Sequence, residues 1–235
     1  MGGLFFAAAL ALTSAQVAHA QINKSGAGGL APPSNGSFLV PIINHLKLPA
    51  KYGLEFDINL YSSPATLYSD YAAGRTNHIF GALYNGANFY NRGVPTKLLF
   101  TVSTANHAFV SKSDKIKNPG DLVDKTIAAT TSSGFYGMAV LYLKQNKLDP
   151  RQNIQILEGN PSAVQTFLLA DRADAGLLAE PGLSNMLMKG FHMVGDMNAT
   201  IRQALKMKDD AAIWYIGCFA SAEWVDKNPD KVLAT

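Results

Sequence analysis

Four hydroxyl side chains in a row and a glycine, Thr130-Thr131-Ser132-Ser133-Gly134, are a natural place for polar contacts in this 235-residue chain. The run follows the apolar stretch 126–129, which reads as a strand, and precedes 135–145, which reads as a helix. The first N–H groups of a helix have no intrahelical partner and carry partial positive charge. The hydroxyls of Thr131, Ser132 and Ser133, with the main chain at Gly134, therefore suit an anion or a polar group. The same serines can equally serve as plain N-caps. Ser34-Asn35-Gly36-Ser37-Phe38 is a comparable turn nearer the N-terminus, with Asn35, Ser37 and Phe38 as candidate contacts or as an ordinary loop with a serine cap. Ala82 and Tyr84 end a short apolar run, where Tyr84 can face a ligand or pack half-buried. Asn106, beside His107, sits in a polar break between two apolar runs. Tyr136, beside Phe135, can stack on a planar ligand or pack. Glu180 can bind an amine, form a salt bridge or cap a helix.

Other chemistries lack their residues. No G-x-S-x-G nucleophile elbow, P-loop or Rossmann glycine fingerprint occurs. The five histidines are scattered, and the single Cys218 rules out an intramolecular disulfide and a multi-cysteine metal site. The net charge is only +3, with no basic run to hold nucleic acid. A binding role without cofactor, metal or catalytic residue is the expectation. With 48% hydrophobic and 16% charged residues the chain is composed as a folded globular protein.

The elements that must position these residues are legible in a repeat. Residues 64–82 and 161–179 follow one pattern at a constant offset of 97. Leu67 and Tyr71 align with Val164 and Leu168, at the i, i+4 spacing of an apolar helix face. Gly74-Arg75 and Asp171-Arg172 then end each helix, and an apolar run follows. Each copy reads as helix, tight turn and buried strand, and two copies suggest two α/β lobes of similar build. Ser37 caps a helix through Leu46, and 54–60 alternates as a half-buried strand. Further strands are expected at 98–102, 108–110, 126–129, 154–157 and 214–220, with a last helix opening at Ser221. Strands alternating with helices point to mostly parallel sheets.

The first 20 residues hold no Lys, Arg, Asp or Glu, and the apolar stretch from Leu4 to Leu12 leads to Ala18-His19-Ala20. This reads as an export signal peptide cleaved after Ala20, because the run is shorter than the ~20 apolar residues a span needs.

Five motifs in order resemble one family. They are Lys51-Tyr52-Gly53-Leu54-Glu55-Phe56, Arg92-Gly93-Val94-Pro95-Thr96-Lys97, the segment from Ile116 through Pro119, Asp121 and Leu122 to Thr126-Ile127-Ala128, Leu148-Asp149-Pro150, and Ala179-Glu180-Pro181. Together they resemble the bacterial solute-binding proteins of the sulfonate/nitrate/thiamine-precursor type over residues 34 to 232. The resemblance implies an α/β, two-lobed type II periplasmic binding fold with mostly parallel sheets. Lobe 1 would hold 21–105 and 196–235, and lobe 2 would hold 106–195. The chain would be a periplasmic monomer that closes on a small-molecule solute, an organic compound or an oxoanion, and delivers it to the membrane permease of an ABC importer. The turn at Thr131, Ser132, Ser133 and Gly134 would then face the cleft, with Asn106 at a crossover between the lobes. Other uses of the fold are a ligand-sensing lobe of a signalling system and a pyrimidine-precursor synthase, whose Cys-rich motif is missing here. The family carries Asp where this chain has Asn77, and it is longer than this chain, so the resemblance implies that the C-terminal part of the first lobe is missing.

Overall fold

The computed structural model describes residues 25–30, 37, 39–51 and 56–234. The expected signal peptide, Asn35 and Phe38 lie outside these residues. The first half of the chain forms β1 (Ser25–Leu30), α1 (Leu39–His45), α2 (Leu48–Lys51), β2 (Phe56–Tyr61), α3 (Pro64–Ala72), β3 (His78–Ala82), α4 (Leu83–Asn91) and β4 (Thr96–Thr104). There follow β5 (His107–Ser111), β6 (Thr126–Ala129), α5 (Gly134–Gln145), β7 (Gln155–Glu158), α6 (Pro161–Leu169), β8 (Ala175–Ala179), α7 (Gly182–Met188) and β9 (His192–Met193). The chain continues through α8 (Met197–Ala204), β10 (Trp214–Ser221), α9 (Ala222–Lys227) and α10 (Pro229–Ala234).

The strands form two five-stranded sheets, ordered β2-β1-β3-β10-β4 and β7-β6-β8-β5-β9. In each sheet four strands run one way and a single strand is reversed, β10 in the first and β5 in the second. Each reversed strand is the one entered from the other sheet. The chain leaves the first sheet along β4 and enters the second as β5, then returns after α8 as β10. Mostly parallel sheets were expected, and the reversed strand in each follows from this double crossing.

The repeat holds to the residue. Helices α3 and α6, and strands β3 and β8, begin and end 97 residues apart and occupy the third position of their sheets. The caps match as well. Ser63 accepts from the Thr66 N–H at 3.3 Å, and Asn160 accepts from the Ala163 N–H at 2.9 Å. Both helices end in a residue with positive φ, Gly74 at 71° and Asp171 at 51°, with the next N–H bonded five residues back, to the carbonyls of Asp70 and Phe167. Even the arginines agree. Arg75 pairs with Asp70, and Arg172 lies 4.9 Å from the centre of the Phe167 ring. Leu67 and Tyr71, like Val164 and Leu168, are buried against their own sheets.

One helix differs from the sequence reading. Gly81 to Tyr84 reads as a strand end, yet Leu83 already opens α4. Gly and Asn make the segment LYNGANFYN a weak helix former, and packing decides the matter. A Cβ on Gly86 would lie 2.1 Å from the Phe219 ring, so glycine lets α4 settle onto β10. Helices α7 and α8 also had no sequence signal. α8 buries Met197 and Ile201 in one core with Phe109 and Tyr142 beside the second sheet, and Asn198 donates to the Ala105 carbonyl at 3.1 Å.

Candidate functional site

Between the two sheets lies a cavity of about 40 Å³. Its walls come in pairs related by the repeat. Pro64 and Pro161 open α3 and α6, Tyr68 and Gln165 stand one turn further on, and Phe80 and Gly81 face Leu177 and Leu178. Leu30, Ser37, Leu39 and Val40 close it from the first lobe, and Ser133, Gly134, Phe135, Glu180 and Gly182 from the second. Tyr215 and Ile216 of β10 complete it. The carboxyl ends of parallel strands converge on this space, as open α/β sheets arrange their ligand sites. The sheets meet tightly beside it, because a Cβ on Gly134 would lie 2.1 Å from that of Ala82.

The candidates from the sequence divide between this cavity and a second depression. Ser37, Ser133, Gly134 and Glu180 line the cavity, and Ala82, 1% exposed, backs Gly134. Thr131, Ser132, Tyr84 and Tyr136 instead line an open groove of about 720 Å³ between α4 and α5, which shares only Ser133 and Tyr68 with the cavity. Tyr84 is 48% exposed there because it sits in the first turn of α4 and not at a strand end. Asn106 lies at the crossover, exposed, and donates from Nδ2 to Oε1 of Glu180 at 3.1 Å.

Hydrogen bonding narrows what the serine turn can do. Ser133 Oγ accepts from the Tyr136 N–H at 3.3 Å and donates to the Thr130 carbonyl at 2.6 Å, so it is the N-cap of α5. The Thr131 N–H donates to both carboxylate oxygens of Glu158, at 3.1 and 3.2 Å. The Phe135 N–H donates to the Tyr215 hydroxyl at 3.1 Å. Glu180 accepts from the Ser184 N–H and hydroxyl at 3.1 and 2.8 Å, and so caps α7. Ser133→Ala is therefore expected to lower stability by about 1 kcal/mol, read as a shift of the urea midpoint at constant slope.

Three residues that face the cavity carried no separate signal in the sequence. Tyr68 accepts from the Ala82 N–H at 3.2 Å, and burial raises its pKa. Tyr215 is 5% exposed and burial raises its pKa well above 10. Gln165 is tied to Asn185 at 2.8 Å. Tyr68 and Gln165 sit at the same position of the two repeat copies, and that shared position is the signal that could have found them. His107, beside Asn106, is 3% exposed and packs against the Phe135 and Tyr215 rings, its pKa lowered by burial to about 4.

Neither the family models nor the curated proteins contain a match to this chain. Solved structures do match. A protein of Bordetella bronchiseptica superposes with a TM-score of 0.75 at 16% identity, covering 90% of this chain and 68% of its own. The alkanesulfonate-binding protein SsuA of Xanthomonas axonopodis pv. citri, bound to MOPS, gives 0.70 at 14% identity, covering 88% and 69%. The periplasmic nitrate-binding protein NrtA of Synechocystis PCC 6803 gives 0.69 at 14% identity, covering 91% and 59%. The chain has the two-lobed type II periplasmic binding fold of the sulfonate- and nitrate-binding proteins that its sequence resembles.

Proposed function

We propose that this protein is the solute-binding component of an ABC importer. It would be exported to the periplasm, cleaved after Ala20, and close its two lobes as a monomer around a small organic or oxoanion solute for delivery to a membrane permease. The observation that carries the reading is the cavity itself, walled by corresponding positions of two repeat copies that belong to different sheets. A site built from both lobes is completed only when they approach, which is how hinge closure around a ligand works. The lobes follow the sheets. The first would hold β1 to β4 with β10, α9 and α10, and the second β5 to β9 with α8 packed on it. Ser37, Ser133, Gly134 and Glu180, candidates from the sequence that line the cavity, would contact the solute together with Tyr68, Gln165 and Tyr215.

A thermal-shift screen of small organic acids, amides, sulfonates and oxoanions tests the reading. A ligand that binds only the folded state at a hundred times its Kd adds about 2.7 kcal/mol. For a chain of this size that corresponds to a midpoint rise of roughly 5–10 °C. The rise should shrink when Gly134 is replaced by a larger residue. A panel without a single stabilising member would count against the reading.

A further inference from the structure

The serine turn before α5 supplies two residues that the cavity leaves unused. Thr131 and Ser132 face the groove between α4 and α5, with Tyr84 and Tyr136. Among the described residues their hydroxyls have no hydrogen-bond partner. The groove's volume of about 720 Å³ falls in the range of small-molecule sites, roughly 300–1,000 Å³. Both lobes build it. α4 of the first lobe and α5 of the second touch where they begin. A Cβ on Gly134 would lie 2.1 Å from that of Ala82, and one on Gly137 would lie 2.5 Å from the Tyr84 ring.

Positive charge outweighs negative in this groove. Arg92 stands at the C-terminal cap of α4, Lys144 in the last turn of α5, and Arg151 in the turn that follows. All three are exposed, and among the described residues none of them forms an ion pair. One carboxylate lines the groove with them, that of Asp149, whose Oδ1 accepts from the Arg151 main-chain N–H at 2.9 Å. A second, that of Glu158, is held by the Thr131 N–H beside it. Three cations drawn from two lobes repel one another, and an anion among them relieves that repulsion. Guanidinium groups also match a planar carboxylate with two parallel hydrogen bonds. The wall between the cations is aromatic. Tyr84 is 48% exposed and Tyr136 is half-buried, and such faces stack on a flat ring. The Tyr136 hydroxyl has its pKa raised by burial and by Glu158 and is pulled back by Arg151, which puts that guanidinium near the ring.

We infer that the groove between α4 and α5 is a second ligand site, for a planar aromatic molecule with two or more carboxylates, held by Arg92 of the first lobe and by Lys144 and Arg151 of the second. The site is separate from the one proposed for the solute, since none of the three cations lines the cavity.

Calorimetry on the full chain at low salt tests it, with benzene-1,3,5-tricarboxylate as the probe. Cyclohexane-1,3,5-tricarboxylate serves as the twin without a flat ring, and benzene-1,3,5-trimethanol as the twin without charge. The probe is expected to bind at least about tenfold more tightly than either twin. Lys144→Glu and Arg151→Glu replace attraction by repulsion and should each weaken the probe by about five- to twentyfold. Lys208→Glu makes the same change of net charge at an exposed position outside the groove and should weaken it by less than about twofold. Tyr84→Ala should bring the probe and its saturated twin to within about twofold of each other. Circular dichroism confirms that each variant folds, and the comparison of the three compounds on the wild type stands where one does not. A probe that gives no heat at millimolar concentration overturns the inference. So does one that binds no better than its twins, or one that loses as much affinity with Lys208→Glu as with the groove variants. Each of these results leaves the solute-binding reading to the thermal-shift screen, and failure of that reading leaves this one standing.

Discussion

Gly134→Ala is expected to weaken solute binding by about five- to a hundredfold while the free protein stays folded. The new methyl would lie 2.1 Å from the Ala82 Cβ, at the point where the second lobe's helix α5 meets the end of β3. Neither partner is the far end of a flexible side chain, so the contact can be relieved only by moving the lobes apart. Overpacking of this kind costs about 1–3 kcal/mol, and a two-lobed protein without ligand can avoid that cost by opening. The cost then falls on closure and is read as lost affinity, at 1.4 kcal/mol per tenfold. Calorimetry gives the affinity, and the thermal midpoint without ligand gives the fold. Unchanged affinity would mean that β3 and α5 need not touch in the bound state. A collapse of the free protein would mean that the contact is fixed packing and not a closing surface.

Acid is expected to remove much of the protein's stability between pH 6.5 and pH 4. His107 is buried beside Phe135 and Tyr215, and His78 is fully buried with its ring centre 4.2 Å from that of Trp224. Burial lowers both pKa values from 6.5 to about 4. In this window the unfolded chain takes up protons that the folded chain refuses. Stability is therefore complete above pH 6.5 and declines as the pH falls towards 4. The linkage is about 1.4 kcal/mol per pH unit for each such histidine. The two together reach several kcal/mol, a large share of a typical 5–15 kcal/mol. Urea titrations at pH 7.5 and 4.5 should show the loss. His107→Phe should flatten the pH dependence, because the ring that resists protonation is gone. A variant with the wild-type pH slope would remove His107 from the account.

The repeat made most of the fold legible, for a physical reason. A Pro-started helix, an i, i+4 apolar face and a positive-φ stop are local signals, and α3 and α6 obey them to the residue. α4, α7 and α8 were illegible because their reasons are not local. α4 exists because Gly86 lets the Phe219 ring, from a strand far along the chain, lie against it. The site divided in the same way. The turn at Ser133 and Gly134 was visible as polar residues between a strand and a helix, but the residues that occupy its donors, Glu158 and Tyr215, are remote in sequence. Glu180 and Asn106 were each singled out, yet only folding brings them into contact across 74 residues. Tyr215 read as one more apolar residue of a late strand, and its hydroxyl acquires a partner only where β10 meets the start of α5.

A crystal structure with the tightest-binding compound of the screen decides where the solute sits. Density is expected between Tyr68, Gln165 and Tyr215, enclosed by the Pro64 and Pro161 ends of α3 and α6. A compound seated in the groove between α4 and α5, among Tyr84, Thr131 and Tyr136, with the space between the sheets unfilled, would contradict that placement.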